Sequence, residues 1–259
     1  MRVRVDRSWV RFAPGLAAWL ALVLATPGGA APDAPRPGDD ATYRPTVMVR
    51  KGLALGTGTV IASVEGETLV LTAAHVVEDP GPLRVELFRY NLGLERARGV
   101  KGFPRRLAAT VVAKDVAADL AVLRIKGQLA LPYVARIARG DAAPPSGTRV
   151  TTIGFDMGER LIGFATKIRR VDRVDMEKGG GDRPFLVTED PPELGRSGGG
   201  LFREDGALVG VCVARAEFAR GRKIGLFSTL GNVKRLLGTN EDLAAAVARV
   251  PGPATASGR

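Results

Sequence analysis

GTGTVIASVEGETLVLTAAHVVED, residues 56–79, contains two short runs of β-branched and aliphatic residues, Gly56–Ser63 and Thr68–Ala74, separated by charge and a glycine at Glu65–Gly66. β-Branched side chains lose rotamer freedom in a helix and pack well on a pleated surface. Neither run shows the three-and-four spacing of an amphipathic helix, so both read as strands, joined by a turn.

The same pattern recurs on either side. Upstream stands TVMVR (46–50), and downstream follow LRVELFR (83–89), AATVVAKD (108–115) and LAVLRIK (120–126), about six strands before residue 127. Gly140–Gly147, with two prolines and a closing glycine, breaks the series. A second set follows: RVTTIGF (149–155), LIGFATKIRRVD (161–172), RPFLVTED (183–190), GGLFRE (199–204), ALVGVCVAR (207–215) and KIGLFST (223–229). Two sets of six short strands predict an all-β fold of two packed six-stranded antiparallel β-barrels, about 45–130 and 145–230, with a cleft between them as the natural place for a site. TLGNVKRLL and NEDLAAAVARV change to helical spacing, with Asn240 as N-cap and Val250–Pro251 as the stop. The barrel domain is therefore drawn at 45–238, and residues 239–259 as a C-terminal helix and disordered tail.

Composition agrees with this. Among 259 residues there are 33 glycines and 17 prolines but only 5% aromatics, which favours turns and small strands over long helices. The length is enough for a core that needs no stapling. Cys212 is the only cysteine, so no disulfide within the chain can form; in the apolar run LVGVCVA it reads as a small buried hydrophobe.

The N-terminus follows a different logic. Arg2, Arg4, Arg7 and Arg11 precede an apolar run, Leu16–Ala25, followed by Gly28, Gly29 and Ala30. This reads as a secretory signal over 1–30, cleaved at about Ala30/Ala31, since the run falls short of the roughly 20 residues of a membrane span. An uncleaved anchor is the alternative. Residues 31–44, rich in proline, read as a flexible leader, and the mature protein is expected in the periplasm or outside the cell.

The formal charge is +11, and the signal carries four of the arginines and one aspartate, which leaves +8. Arg84, Arg89, Arg96, Arg98, Lys101, Arg105 and Arg106 lack aromatic interleaving, so a solvated face is expected, with weak contact to an anionic envelope surface and no nucleic-acid partner. The glycines of 176–184 lack the lysine and hydroxyl of a phosphate loop, and no spaced His, Cys or carboxylate cluster suggests a metal. No cofactor is expected.

The chemistry lies in three places. His75, the only histidine, follows the apolar strand; Asp119 heads LAVLRIK; Ser197 stands in the glycine turn ELGRSGGG. A serine hydroxyl needs an imidazole to take its proton, and the imidazole needs a carboxylate to set its tautomer and balance its charge. His75, Asp119 and Ser197 would fill those catalytic roles, with the N–H groups of Gly195 and Ser197 as an oxyanion hole.

GTGTVI (56–61), LTAAHVV (71–77), DLAVL (119–123) and GRSGG (195–199) together resemble the trypsin-like, chymotrypsin-fold serine protease family, and most of all its bacterial disulfide-free envelope branch of the HtrA/Deg type. The resemblance spans roughly 46–235 and implies the double barrel, endopeptidase activity on polypeptides, and the triad. No PDZ domain is expected in a chain of this length. Arg196 stands where zymogen-type members carry an aspartate that pairs with a newly cut N-terminus, so that switch is not expected. Gly200 replaces a usual proline. Pro191 stands where relatives that prefer basic residues keep an acid, which predicts that Lys and Arg are not the preferred cleavage residues, with Asp190 and Glu193 nearby; the resemblance implies that Arg215 narrows the pocket, so a small or medium apolar residue is expected at the cleavage site. By the resemblance, Val213, Ala214 and Arg215 would pair with the substrate backbone, with Gly225, Pro191 and Leu194 completing the substrate site. The alternatives are a catalytically silent binding or scaffold protein of the same fold, and an esterase. The esterase elbow places its histidine after the serine, whereas His75 comes first.

Overall fold

The computed structural model describes residues 4–5, 39–127, 129–176, 181–217 and 223–249. The proposed signal and leader, apart from Arg4–Val5 and the last residues before Pro45, lie outside these residues, as does the expected tail. Among the described residues there are thirteen strands: β1 (Arg4–Val5), β2 (Thr46–Lys51), β3 (Ala54–Val64), β4 (Glu67–Thr72), β5 (Leu83–Leu87), β6 (Arg105–Asp115), β7 (Leu120–Lys126), β8 (Arg149–Asp156), β9 (Arg160–Val174), β10 (Arg183–Thr188), β11 (Gly200–Arg203), β12 (Leu208–Glu217) and β13 (Lys223–Thr229).

Strands β2 to β7 close into a barrel in the order β2-β3-β4-β7-β6-β5. Strands β8 to β13 form the second ring, β12-β11-β8-β9-β10-β13, which the β12–β13 pairing closes. All pairings within both barrels are antiparallel, as the two sets of six predict. β1 adds to β12 outside the ring, with Arg4 opposite Glu217 and Val5 opposite Ala216.

The opening hairpin explains its own sequence. β3 and β4 pair from Gly58–Thr72 to Val64–Glu67, and Gly66 turns the corner at φ +84°, a left-handed angle that costs glycine nothing. A shift in register between Val60 and Ala62 in β3, and others in β6 and β12, bend strands that would otherwise stay flat, which ring closure requires.

β4 reads as a continuous apolar run because both its faces are covered. Val70 points into the first barrel with Val47, Val49, Val85 and Leu123. Leu69 and Leu71 pack on the other side against Ile153, Phe202 and Val211 of the second barrel and against Val233 and Leu236. That shared core joins the two barrels. It is completed by α1 (Leu230–Leu237), whose N-cap Thr229 accepts from the Asn232 N–H at 3.3 Å, and α2 (Glu241–Ala248), capped by Asn240. No helix among the described residues is long and apolar enough to cross a membrane.

Candidate active site

His75 lies in a 3-10 turn, Ala74–Val77, that begins where β4 ends. Its neighbours Ala74, Val76 and Val77 are buried, so packing anchors the turn while the imidazole remains 11% exposed. Asp119 is buried just before β7 and takes a left-handed φ of +52°, which aims its carboxylate back across the barrel end. A non-glycine residue held there costs about 1 kcal/mol or more, and aspartate is among the residues that tolerate it best.

Both carboxylate oxygens reach His75. Oδ1 accepts from the His75 backbone N–H at 2.9 Å, and Oδ2 lies 2.6 Å from ring Nδ1. An ionised carboxylate can only accept, so beside it a neutral imidazole takes the tautomer with the proton on Nδ1 and a lone pair on Nε2.

Ser197 comes from the second barrel, in the turn between β10 and β11, and is half-buried. Its turn is fastened to the first barrel by Thr57. The Thr57 N–H donates to the Ser197 carbonyl at 2.7 Å, and the Thr57 hydroxyl donates to the Gly195 carbonyl at 2.8 Å while accepting from Phe155 N–H at 3.0 Å. Gly198 sits at φ +85°, and a Cβ there would fall 2.1 Å from the Thr57 carbonyl oxygen and 2.8 Å from the Ala73 nitrogen. The serine turn therefore packs directly on the backbone two residues before His75.

Gly195 has φ +91°. The carbonyl of Leu194, which shares a peptide plane with the Gly195 N–H, accepts from Met157 N–H at 2.6 Å. In a trans peptide the carbonyl and N–H point in opposite directions, so the Gly195 N–H faces away from Met157.

The other sequence-derived positions fall into two groups. Val213 and Ala214 are buried on β12, and Arg215 is half-buried directly opposite Gly225 of β13. The side where a Gly225 Cβ would stand meets Thr188 Oγ1 at 2.4 Å and the Asp190 carbonyl at 3.1 Å, which brings the neighbouring Pro191 to the same wall. Asp190 also accepts from the Thr166 hydroxyl at 2.9 Å. Leu194 stands apart from these, beside Met157. Cys212, behind the serine turn, is buried, and burial pushes its thiol up to about 12.

Thr57, Asp156 and Met157 were not singled out as site residues in the sequence. The only hint is a threonine held between Gly56 and Gly58.

Two packed barrels, with a His–Asp pair at the end of one and a glycine-hinged serine turn supplied by the other, define the class of double-barrel peptidases. The family model described as a trypsin-like peptidase domain matches residues 56–211, more than half of the chain. The chain belongs to that family. It is 30% identical over 163 residues to the serine protease Do-like HtrA of Bacillus subtilis, covering 60% of this chain and 32% of that protein. It is 27% identical over 167 residues to the periplasmic serine endoprotease DegP of Salmonella typhimurium, covering 64% and 31%. The chain thus spans about a third of the length of these relatives. Among solved structures, the Rv3671c protease of M. tuberculosis in its active form superposes with TM-score 0.60 at 24% identity, covering 85% of this chain and 93% of that one. The MamO protease domain of Magnetospirillum magneticum gives 0.59 at 18% identity, covering 75% and 96%. These structural likenesses support the fold.

Proposed function

We propose that this protein is an exported serine endopeptidase that cleaves polypeptides through His75, Asp119 and Ser197. The observation that carries the reading is the double hold of Asp119 on His75, which leaves Nε2 as the base. Ser197 Oγ attacks the peptide carbonyl, and His75 Nε2 takes the hydroxyl proton; the imidazolium so formed is balanced by Asp119. The carbonyl oxygen becomes an oxyanion, met by the N–H groups of Gly195 and Ser197, each such donor being worth about 10²–10³ in rate. His75 returns the proton to the leaving amine, which departs and leaves Ser197 acylated. Water, deprotonated by the same nitrogen, then releases the acid.

The substrate strand would lie along Val213–Arg215 of β12, with Pro191, Leu194 and Gly225 around the cleaved residue. Thr188 Oγ1 and the Asp190 carbonyl crowd the Gly225 position, which supports a small or medium apolar side chain there. Export to the periplasm or beyond is read from the N-terminal arginines and apolar run, and the basic surface suits weak contact with an anionic envelope. Incubation of the full chain with an unfolded polypeptide tests the activity. New peptides are expected from wild type and none from Ser197→Ala; equal cleavage by both would refute it.

A further inference from the structure

Arg196, next to the proposed nucleophile, is the largest of the fully buried side chains among the described residues. Its Nε bonds Asp156 Oδ1, its Nη1 donates to the Thr152 carbonyl at 3.2 Å, and its guanidinium lies 4.6 Å from the centre of the Phe164 ring. Room for it is made by Gly154, where a Cβ would stand 3.2 Å from both Cα and Cγ of Arg196. A buried cation is costly unless paired, so its retention beside the reacting residue calls for a reason.

Asp156 is the last residue of β8, and the turn after it is unusual. Met157 adopts φ +52°, Gly158 φ +72°, and the Glu159 N–H closes the turn on the Asp156 carbonyl at 2.9 Å. This turn presents the Met157 N–H to the Leu194 carbonyl. The chain thus makes a closed circuit: Asp156 to Met157, across to Leu194, then Gly195 and Arg196, and back through the ion pair to Asp156.

We propose that the Arg196–Asp156 ion pair is a positioning device that keeps the oxyanion hole formed. By tying the β8 turn to the serine turn, it holds the Met157 N–H where it captures the Leu194 carbonyl, so that the Gly195 N–H faces the substrate. Thr57 fixes the next carbonyl, that of Gly195, on the other side. Without the pair the Leu194–Gly195 peptide is free to rotate and put its carbonyl, a negative dipole, where the oxyanion must form. Both partners belong to the folded chain, Arg196 fully buried and Asp156 partly exposed, so the device needs no cleavage event to assemble. The proposal rests on the serine-peptidase reading for its consequence but not for its geometry.

The test uses the full chain and Arg196→Gln, Arg196→Lys and Asp156→Asn, with crystal structures of wild type and variants and separate kcat and KM values on a peptide. The expected result for Arg196→Gln is a Leu194 carbonyl turned away from Met157, with kcat down by about 10²–10³ and KM nearly unchanged, since an oxyanion donor acts in the transition state. Arg196→Lys, which keeps the charge, recovers part of kcat. An Arg196→Gln structure with the Leu194 carbonyl still on the Met157 N–H, turning over at the wild-type rate, overturns the proposal. Should Arg196→Gln not fold, Asp156→Asn, at a side chain 22% exposed, decides by the same readouts. Should the wild type cleave nothing, the function proposed above falls, while the orientation of the peptide in variant against wild type still decides this one.

Discussion

Asp119 binds His75 twice, through the ring at 2.6 Å and through the backbone N–H at 2.9 Å, so the carboxylate fixes both the position of the residue and the tautomer of its ring. These two tasks separate in a single variant. Asp119→Asn keeps the shape, and asparagine tolerates the left-handed φ of +52°, but its amide disfavours the Nδ1–H tautomer. The expected outcome is a native fold with kcat down by about 10⁴. Asp119→Ala should in addition melt lower, having lost the backbone hydrogen bond. Thermal melts beside steady-state kinetics distinguish the two, and an Asp119→Asn enzyme within tenfold of wild type would contradict the role.

Thr57 ties the barrels together at the serine turn. Thr57→Val is nearly isosteric but strands the Gly195 carbonyl and the Phe155 N–H in a fully buried site. Each unsatisfied group costs about 1–3 kcal/mol, so a stability loss of at least about 2 kcal/mol is expected, with a fall in kcat. Thr57→Ser should restore most of both. Denaturant unfolding of the three proteins provides the measurement.

Cleavage is expected after small or medium apolar residues. A peptide-library profile dominated by Lys or Arg would show instead that Asp190 or Glu193 supplies an acid to the pocket.

Burial raises the Cys212 thiol from an ordinary 9.0 to about 12, with Arg196 acting against this and Asp119 with it; burial likewise raises the Tyr90 phenol. A folded-state value above the unfolded one means that the contribution to stability is complete below the unfolded value and is lost as pH rises toward the folded one. For Cys212 that window runs from about pH 9 to about 12. Urea unfolding at a series of alkaline pH values should show stability falling across it. Thiol reagents near pH 8 should modify Cys212 only after denaturation, and rapid reaction of the native protein would contradict the burial.

The barrels were legible because each strand is short, apolar or alternating, and bounded by glycine, proline or charge, and those local signals agree with the tertiary structure. β4 and β7 belong to the same pattern, and their apolar runs, Leu69–Leu71 and Leu120–Leu123, follow from being covered on both faces. His75, Asp119 and Ser197 stand out in the sequence as residue types in order, since few residues can perform the chemistry proposed for them, and the fold pairs the first two. The parts that escaped act through backbone groups and distant partners. Thr57 reaches a carbonyl 138 residues away, and Met157 contributes only its N–H. Arg196 was legible as a missing acid and not as a cation, because its partner Asp156 stands at the end of an ordinary strand and only the fold brings it near.

The most direct test of the central claim is treatment of the purified full chain with a fluorophosphonate, with the modified residue mapped by mass spectrometry in wild type, His75→Ala and Ser197→Ala. The account predicts a single adduct on Ser197 in wild type that is lost in both variants. A folded wild type that takes no label, or one that labels equally without His75, would contradict it.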